Sequence, residues 1–395
     1  MSILQLDTLI AGGGIAGLWA LHRLQAAGYR SLLVENNAIG AGQTLASQGI
    51  IHGGTKYALH GETSKASQAI AAMPQRWKDC LAGVGDVNLS GVRLLSKHQL
   101  LWTDASVTQR LTGFFASKLM RSRMQKLSGL PDFFASPEFQ GSVYQLDEPV
   151  IDTESLVHTL TSALQQQIIQ GDIREISLSQ QGVRIQLDGL QIQARFIVLA
   201  AGNGNFALQQ KITGLPFSDL PRMQQRPLQM LMLKSPDLPG IYAHRLGLSA
   251  VPALTITSHP LGQDTVWYVG GDIAERGAAM HVQTFLPWAR QQLQSLIPWF
   301  NFDKVMWGSF PINRAEPFND GKRPDEPFIG VHKNMYTVWP VKLAMTPVMI
   351  DDLLTLTRQQ YPPSHDIIDF KNINLPLAVP DRMFWSRYAN WQSLA

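Results

Sequence analysis

The stretch Thr8-Leu-Ile-Ala-Gly12-Gly-Gly14-Ile-Ala-Gly17-Leu-Trp-Ala-Leu21, followed by Ser31-Leu-Leu-Val-Glu35, leaves this chain few ways to begin folding. It reads as strand, glycine turn, helix, second strand and acid. Gly12 permits the tight turn, Gly14 lets backbone approach a pyrophosphate, and Gly17 lets the helix pack closely on the strand. Helix N-terminal amides then face phosphates. Glu35, about twenty residues on, can accept hydrogen bonds from a ribose hydroxyl pair. The glycines alone would equally serve an ordinary strand-to-helix turn; strand, helix and acid together favour a dinucleotide site.

Composition narrows the rest. The 395 residues suffice for a large core and more than one lobe. With 16% charged and 45% hydrophobic residues, the chain suits a globular enzyme rather than a disordered or fibrous one. A net charge of +3 is too small to imply nucleic-acid binding. The single cysteine, Cys80, rules out an intramolecular disulfide and a cysteine-built metal site, so a reducing compartment is expected. The start of the chain lacks the marks of a signal peptide, and no apolar run approaches the ~20 residues of a bilayer span. A cytoplasmic location is therefore expected.

Periodicity places the later elements. A polar helix is expected over about 62–82, short strands at Val92–Leu95 and Leu100–Trp102, and a helix at Glu154–Leu164. Strands then follow at Ile173–Leu178, Val183–Leu187 and Ile192–Leu199, the last ending in Ala200-Ala201-Gly202, a small-residue turn back to the nucleotide side. Leu228–Leu233, Ala253–Thr257 and Val266–Val269 suit a mostly antiparallel second sheet. A helix near Val282–Leu296 precedes Met335–Trp339 and an apolar helix, Met345–Thr357. After Tyr361 the chain is proline-rich and then aromatic.

The opening motif does not separate NAD from FAD. Gly40-Ala-Gly-Gln-Thr44-Leu-Ala-Ser47-Gln48-Gly49-Ile50-Ile-His52-Gly53-Gly54-Thr-Lys56-Tyr57 combines small residues, two hydroxyls and a glycine pair. Small residues let a planar ring lie against backbone, and Thr44 and Ser47 can bond polar groups. An NAD enzyme has no obvious need for this segment. With Gly12–Glu35 and Ile197–Gly202, it resembles the FAD-binding signatures of the D-amino-acid oxidase superfamily. Ser47 to Tyr57 is similar to the pattern of FAD-dependent glycerol-3-phosphate and L-2-hydroxyglutarate dehydrogenases. Trp307–Pro317 and then Asp320–Gly330 resemble that superfamily's returning substrate strand and re-entry into the nucleotide domain. Where relatives usually carry a glycine-rich turn before the last helix, this chain has Trp339-Pro340-Val341-Lys342.

The resemblance implies an α/β fold: an FAD-binding Rossmann-like domain of the glutathione-reductase type, interleaved with an α+β substrate domain on a mostly antiparallel sheet. The FAD domain would comprise 1–57, 150–215 and 330–360, the substrate or cap domain 58–149 and 216–329, and the tail 361–395. FAD would lie against Gly12, Gly14, Ile15, Ala16, Gly17, Glu35, Asn36, Thr44, Ser47, Gln48, Gly49, Ile50, Ile173, Ala201, Gly202, Lys342 and Leu343, with no metal. The reaction would move a hydride to flavin from a carbon bearing a hydroxyl or amine, in a small hydroxy acid, polyol phosphate or amino acid. The electron acceptor, whether quinone, oxygen or another, stays open.

Three residues are catalytic candidates. His52 suits a proton acceptor or flavin contact, and equally a histidine fixed by backbone. Lys342 can set positive charge beside the reduced flavin, or be a solvated lysine. Arg314 offers a fork of donors to a carboxylate or phosphate, or forms an ion pair with Glu316 or Asp320. His244, Arg245, His259 and Tyr268 belong to the sheet expected to roof the flavin. Cys80 lies too far from these motifs for covalent flavin attachment.

Between 106 and 127, basic Arg110, Lys118, Arg121, Arg123 and Lys126 interleave with Leu111, Phe114, Phe115 and Leu119. Such a basic amphipathic helix either lies on an anionic membrane or packs its apolar side on the core. The aromatic Met383–Trp391 segment fits either an interface or a groove cover. A second reading of the whole chain is a flavin-binding protein that assists assembly or modification of a larger partner without turnover.

Overall fold

The computed structural model describes residues 3–54, 65–104, 124–247, 251–365 and 375–394. Its first sheet is built around β1 (Ile3–Ala11), whose alternation of fully buried Leu9 and Ile10 shows that both faces are covered. After β1 the chain forms α1 (Ile15–Ala26) and returns as β2 (Ser31–Glu35), parallel to β1 with Thr8 opposite Ser31. A parallel return requires such a crossover. Beyond β2 lies β8 (Ile168–Gln170), and on the other side of β1 lies β11 (Leu190–Leu199), both joined in parallel. β19 (Met335–Trp339) extends the parallel set from β11 and carries the antiparallel β18 (Phe328–His332). A meander of β9 (Ile173–Ser179) and β10 (Gly182–Leu187) also joins β11, with β12 (Ile212–Thr213) outside it.

The second sheet runs in the order β20 (Gln392–Ser393), β17 (Met306–Pro317), β13 (Met223–Ser235), β16 (Asp264–Gly270), β15 (Leu254–Leu261), β14 (Ala243–Arg245), β4 (Gln99–Thr103), β6 (Ser142–Leu146) and β5 (Met124–Lys126). Every pair is antiparallel except β14 with β4. A small ribbon pairs β3 (Leu94–Ser96) with β7 (Val150–Ile151).

Helices cover these sheets. α1, α2 (Lys65–Leu81), α3 (Thr153–Ala163) and α7 (Thr346–Gln360) share an apolar core with one face of the first sheet, through Trp19, Trp77, Val157 and Leu353. The opposite face packs Leu9, Leu32 and Ile197 against the β9–β10 meander. The second sheet buries Leu231, Trp267 and Trp307 against α6 (Val282–Leu296), which follows α5 (Asp272–Gly277); α4 (Asn205–Gln209) is a single short turn after β11. Fully burying each such side chain is worth about 1.5–3 kcal/mol.

The C-terminal segment ties the two sheets together. Ile39, just past β2, donates to Val379 O at 2.8 Å and accepts from Asp381 N at 2.9 Å. Phe384 stacks on Phe310 at 4.1 Å, and β20 adds to the edge of β17. The aromatic tail therefore covers protein.

Several expectations need adjustment. β8 and α5 were not foreseen, and the stretch expected to be helical to 127 ends as β5, because Met124 is buried against β6 while Gln125 and Lys126 face out. The remainder of that basic segment, 105–123, lies outside the described residues, as do Lys56 and Tyr57. Among the described residues no helix is long and apolar enough to cross a membrane.

Candidate functional site

At the end of β1 the glycines divide by what surrounds them. Gly12 has φ +113°, and an added Cβ would stand 2.4 Å from Ala201 Cα, so the turn after β1 and the turn after β11 touch through backbone. A Cβ at Gly17 would stand 1.9 Å from Gly12 O. Gly14 differs: its backbone is extended, at φ −78° and ψ −178°, and a Cβ there meets only Thr44 Oγ1 at 3.3 Å. The fold itself makes little demand for glycine at this position. A group lying against the backbone at the start of α1 does, and this is what a pyrophosphate on Ile15, Ala16 and Gly17 would require.

Neighbouring groups complete this cradle. Glu35, at the end of β2, accepts from Gly13 N at 2.6 Å and Asn37 N at 3.0 Å, and Asn36 beside it is exposed. Thr44 Oγ1 accepts from Ile15 N at 2.9 Å, capping α1 with a neutral oxygen that stands where an anion is favoured. Ala201 N donates to Asn205 Oδ1 at 2.8 Å, and Gly202 O accepts from Trp339 Nε1 at 3.2 Å. Ile173 is placed differently from the others. Its side chain is buried in the core of the meander, its carbonyl accepts from Lys211 Nζ at 2.6 Å, its backbone lies opposite Leu187 in the β9–β10 pairing, and it does not line the cavity described below.

A cavity of about 270 Å³ opens between the cradle and the second sheet. It brings together Ile15, Thr44, Ser47, Gln48, Gly49, Ile50, His52, Gly202, Arg314, Lys342 and Leu343. Ser47 Oγ donates to Thr44 O at 2.9 Å, and Gly49, at φ +68°, leaves no room for a Cβ against Ile151 O. Gln48 is held by the roof: its Nε2 donates to Tyr268 O at 2.9 Å and Thr255 O at 3.3 Å. Tyr268 Oη in turn donates to Ala46 O at 2.9 Å. Three hydrogen bonds thus fasten the loop after β2 to β15 and β16.

Of the roof candidates only His244 reaches the cavity. Tyr268 is fully buried, with its hydroxyl pushed far up by desolvation. His259 is buried beside Trp385, and desolvation pushes it down to about 3, so it stays neutral. Arg245 pairs with Asp104 at 3.2 Å. Cys80, buried beside Asp86, is pushed up to about 11 by desolvation.

The catalytic candidates share this cavity. His52 Nδ1 lies 3.5 Å from Glu148 Oε2, and its ring stacks on His244 with centroids 5.4 Å apart. Arg314, on β17, lies 3.4 Å from Glu275 Oε1 and 3.9 Å from Glu316 Oε1; burial lowers it to about 10, so it is charged at neutral pH. Lys342 is not a solvated lysine. Its side chain is 8% exposed, donates from Nζ to Asp325 O at 3.1 Å, and is lowered to about 8 by desolvation, with nearby Arg323 adding to the shift.

The turn carrying Lys342 is strained. Val341 has φ +62°, and Lys342 N donates to Pro340 O at 2.6 Å, closing a three-residue turn. A β-branched residue in that region costs about 1–3 kcal/mol and persists only where neighbours impose it. Two indoles do so: Trp339 Nε1 on Gly202 O, and Trp77 Nε1 on Ala344 O at 3.1 Å.

Glu148, Glu275 and Arg323 also belong to this neighbourhood, and sequence reasoning missed them. Gly270-Gly271 was a signal for Glu275: Gly271, at φ +89°, turns the chain from β16 into α5, whose first turn carries that carboxylate to the cavity. Among the described residues no group of three His, Cys, Asp or Glu is arranged to hold a metal.

The FAD dependent oxidoreductase (DAO) family model matches residues 7–340. A probable FAD-dependent oxidoreductase of Pseudomonas aeruginosa is 42% identical over 355 residues, spanning 88% of this chain and 90% of that protein. The crystal structure of an FAD dependent oxidoreductase from that organism superposes with a TM-score of 0.82 over 98% of this chain and 99% of the other, at 35% identity across that longer span. Glycine oxidase from Geobacillus kaustophilus (TM-score 0.62, 16% identity, 94% of this chain and 98% of that one) shares the fold. So does L-alpha-glycerophosphate oxidase from Mycoplasma pneumoniae, solved with FAD bound (0.66, 14%, 90% and 95%). This chain belongs to the FAD dependent oxidoreductase family.

Proposed function

We propose that this enzyme oxidises a small substrate bearing an anionic group, at a C–H bond beside an amine or a hydroxyl. The observation that carries this reading is the meeting of Arg314 with His52 and the small-residue loop 44–50 in one cavity. FAD, the family's cofactor, supplies the hydride acceptor. The cradle at Gly12, Gly14 and Glu35 fits its adenosine and pyrophosphate, and the cavity beyond Thr44 fits its ring. Glycine and glycerophosphate, named for two relatives of this fold, both join an anionic group to a carbon bearing an amine or hydroxyl.

Each cavity residue then has a task. Arg314 binds the anionic end and sets the distance of the reacting carbon from the ring. His52 accepts the heteroatom proton. Lys342 places positive charge where electron density collects.

Anaerobic mixing with glycine, D-alanine, L-proline, glycerol 3-phosphate and L-2-hydroxyglutarate tests the reading. At least one is expected to bleach the flavin's visible absorbance, and a flavin untouched by all five contradicts it. With the compound that bleaches fastest, His52→Gln is expected to slow reduction by about 10²–10⁴ while leaving binding intact.

Lys342 gives this reading a pH signature. Its pKa is depressed, so the ammonium exists below about 8 and is lost as pH rises through that value, well before an exposed lysine would titrate. The Lys342-dependent part of the reduction rate should therefore decline above pH 8. Lys342→Met should be slow on both sides of that point; a variant as fast as the parent at pH 7 would remove Lys342 from the chemistry.

A further inference from the structure

Arg323 belongs to the connection from β17 to β18 and lines the cavity together with Arg314 and Lys342. The three cations are provided for unequally. Arg314 stands 3.4 Å from Glu275 Oε1 and 3.9 Å from Glu316 Oε1, and Lys342 donates to Asp325 O at 3.1 Å. Among the described residues no carboxylate, carbonyl or ring holds the Arg323 guanidinium, although Asp325 and Glu326 follow it closely in the chain. Its charge acts on its neighbours instead: after desolvation, it is the largest influence holding Arg314 and Lys342 below their ordinary values.

The backbone on either side of Arg323 is fixed. Asn319 to Lys322 form a tight turn closed by Lys322 N on Asn319 O at 2.8 Å, with Asp320 and Gly321 both left-handed at φ +49° and +74°. Gln224, on β13, spends both ends of its amide on this turn: Oε1 accepts from Asn319 N and Gly321 N, each at 3.0 Å, and Nε2 donates to Lys322 O at 2.8 Å. Beyond Arg323, Pro324 is buried and the Asp325 carbonyl is tied to Lys342. The guanidinium is thus delivered to the cavity by an ordered loop, which lowers the entropic cost of binding through it. Like charges gathered in one cavity repel until an anion arrives among them.

We propose that Arg323 is a second anion-binding residue of the site, so that the substrate carries two negative charges, on two carboxylates or on one phosphate ester. This rests on the reading of Arg314 as the residue that binds the anionic end. Arg314 shares its charge with Glu275 and Glu316, and Lys342 in that reading serves the flavin. Arg323 brings a fork of donors that no acceptor of the protein occupies among the described residues, and such a fork matches a carboxylate or a phosphate. Arg323 is exposed and Arg314 half-buried, so the second charge lies on the solvent side of the first.

Calorimetry on the oxidised, FAD-loaded protein tests this with compounds that differ by one negative charge: succinate against butyrate, and methyl phosphate against methyl sulfate. The parent is expected to bind at least one dianion about tenfold more tightly than its singly charged counterpart, the effect of one charge-assisted hydrogen bond. Which pair shows the preference tells whether the charges sit on two carboxylates or on one phosphate. Arg323→Gln should bring the members of that pair to within about threefold of each other, and Arg323→Lys should keep part of the difference. Flavin content and the unfolding transition should not move, because Arg323 has no partner among the described residues. Arg314→Met, by contrast, should weaken both members of the pair. With the compound that bleaches the parent fastest, Arg323→Gln is expected to raise KM about tenfold and to spare kcat. No preference for either dianion in the parent, or a preference intact in Arg323→Gln, overturns the assignment. A preference that Arg323→Gln abolishes, in a protein whose flavin no substrate bleaches, overturns the oxidation reading and leaves Arg323 an anion-binding residue.

Discussion

Gly14→Val is expected to yield a folded protein that purifies without flavin. The backbone at Gly14 is extended, a conformation that any residue adopts, and a Cβ there has only the Thr44 hydroxyl as a near neighbour. The variant therefore keeps the β1–α1–β2 unit, and its unfolding transition should stay close to that of the flavin-free parent. A valine side chain, however, occupies the space in which a pyrophosphate must sit against the first turn of α1, and it covers the amides that would hold the phosphate oxygens. Gly17 makes the contrast: there an added Cβ collides with Gly12 O inside the fold itself. Visible absorbance of the purified variant, beside a thermal melt, decides the matter. Stoichiometric flavin in Gly14→Val would displace the cofactor from this cradle.

The second large effect is expected from Arg314→Met. Methionine keeps much of the stem's packing and removes the guanidinium. Glu316, 2% exposed, would not be left without a cation, because Arg226 Nε holds its other oxygen at 2.8 Å. The fold should accordingly survive. The cavity would keep Glu275 without its partner, so an anionic substrate would lose an attraction and meet a bare carboxylate. Removing one member of a desolvated charge pair costs about 2–5 kcal/mol, or roughly 30- to 4,000-fold in affinity. The compound that bleaches the parent fastest should show KM raised by at least the lower figure, with flavin content unchanged. A KM within threefold of the parent would place the substrate's anion elsewhere.

How much of this was legible depended on how far apart the partners lie along the chain. The cradle was readable because β1, α1 and β2 are contiguous and each glycine sits at a fixed offset. The helix at Val282–Leu296 was readable from its own periodicity, since the face packed on the second sheet repeats within one element. The site's electrostatics were not readable in this way. Glu148 meets His52, and Glu275 meets Arg314, across long stretches of chain, and nothing in a local pattern says which strands the fold will bring together. α5 escaped because six residues hold too few turns for a periodic signal. β8 escaped because a three-residue strand is too short to show alternation. The basic residue Lys126 ended in a strand because its neighbour Met124 pairs with β6, a preference decided by packing rather than by charge pattern.

The bond between Ile39 and the segment Val379–Asp381 bears on how the protein is made. Synthesis delivers β1, α1 and β2 first, yet β1 pairs with β11, β11 pairs with β19, and the turn beyond Glu35 is closed by residues near 380. Non-local pairings of this kind form late, after the entropy of closing long loops has been overcome. The nascent chain therefore carries an open half-cradle for most of its translation. The backbone bonds that Ile39 makes to Val379 and Asp381 are accordingly among the last that the turn beyond Glu35 acquires.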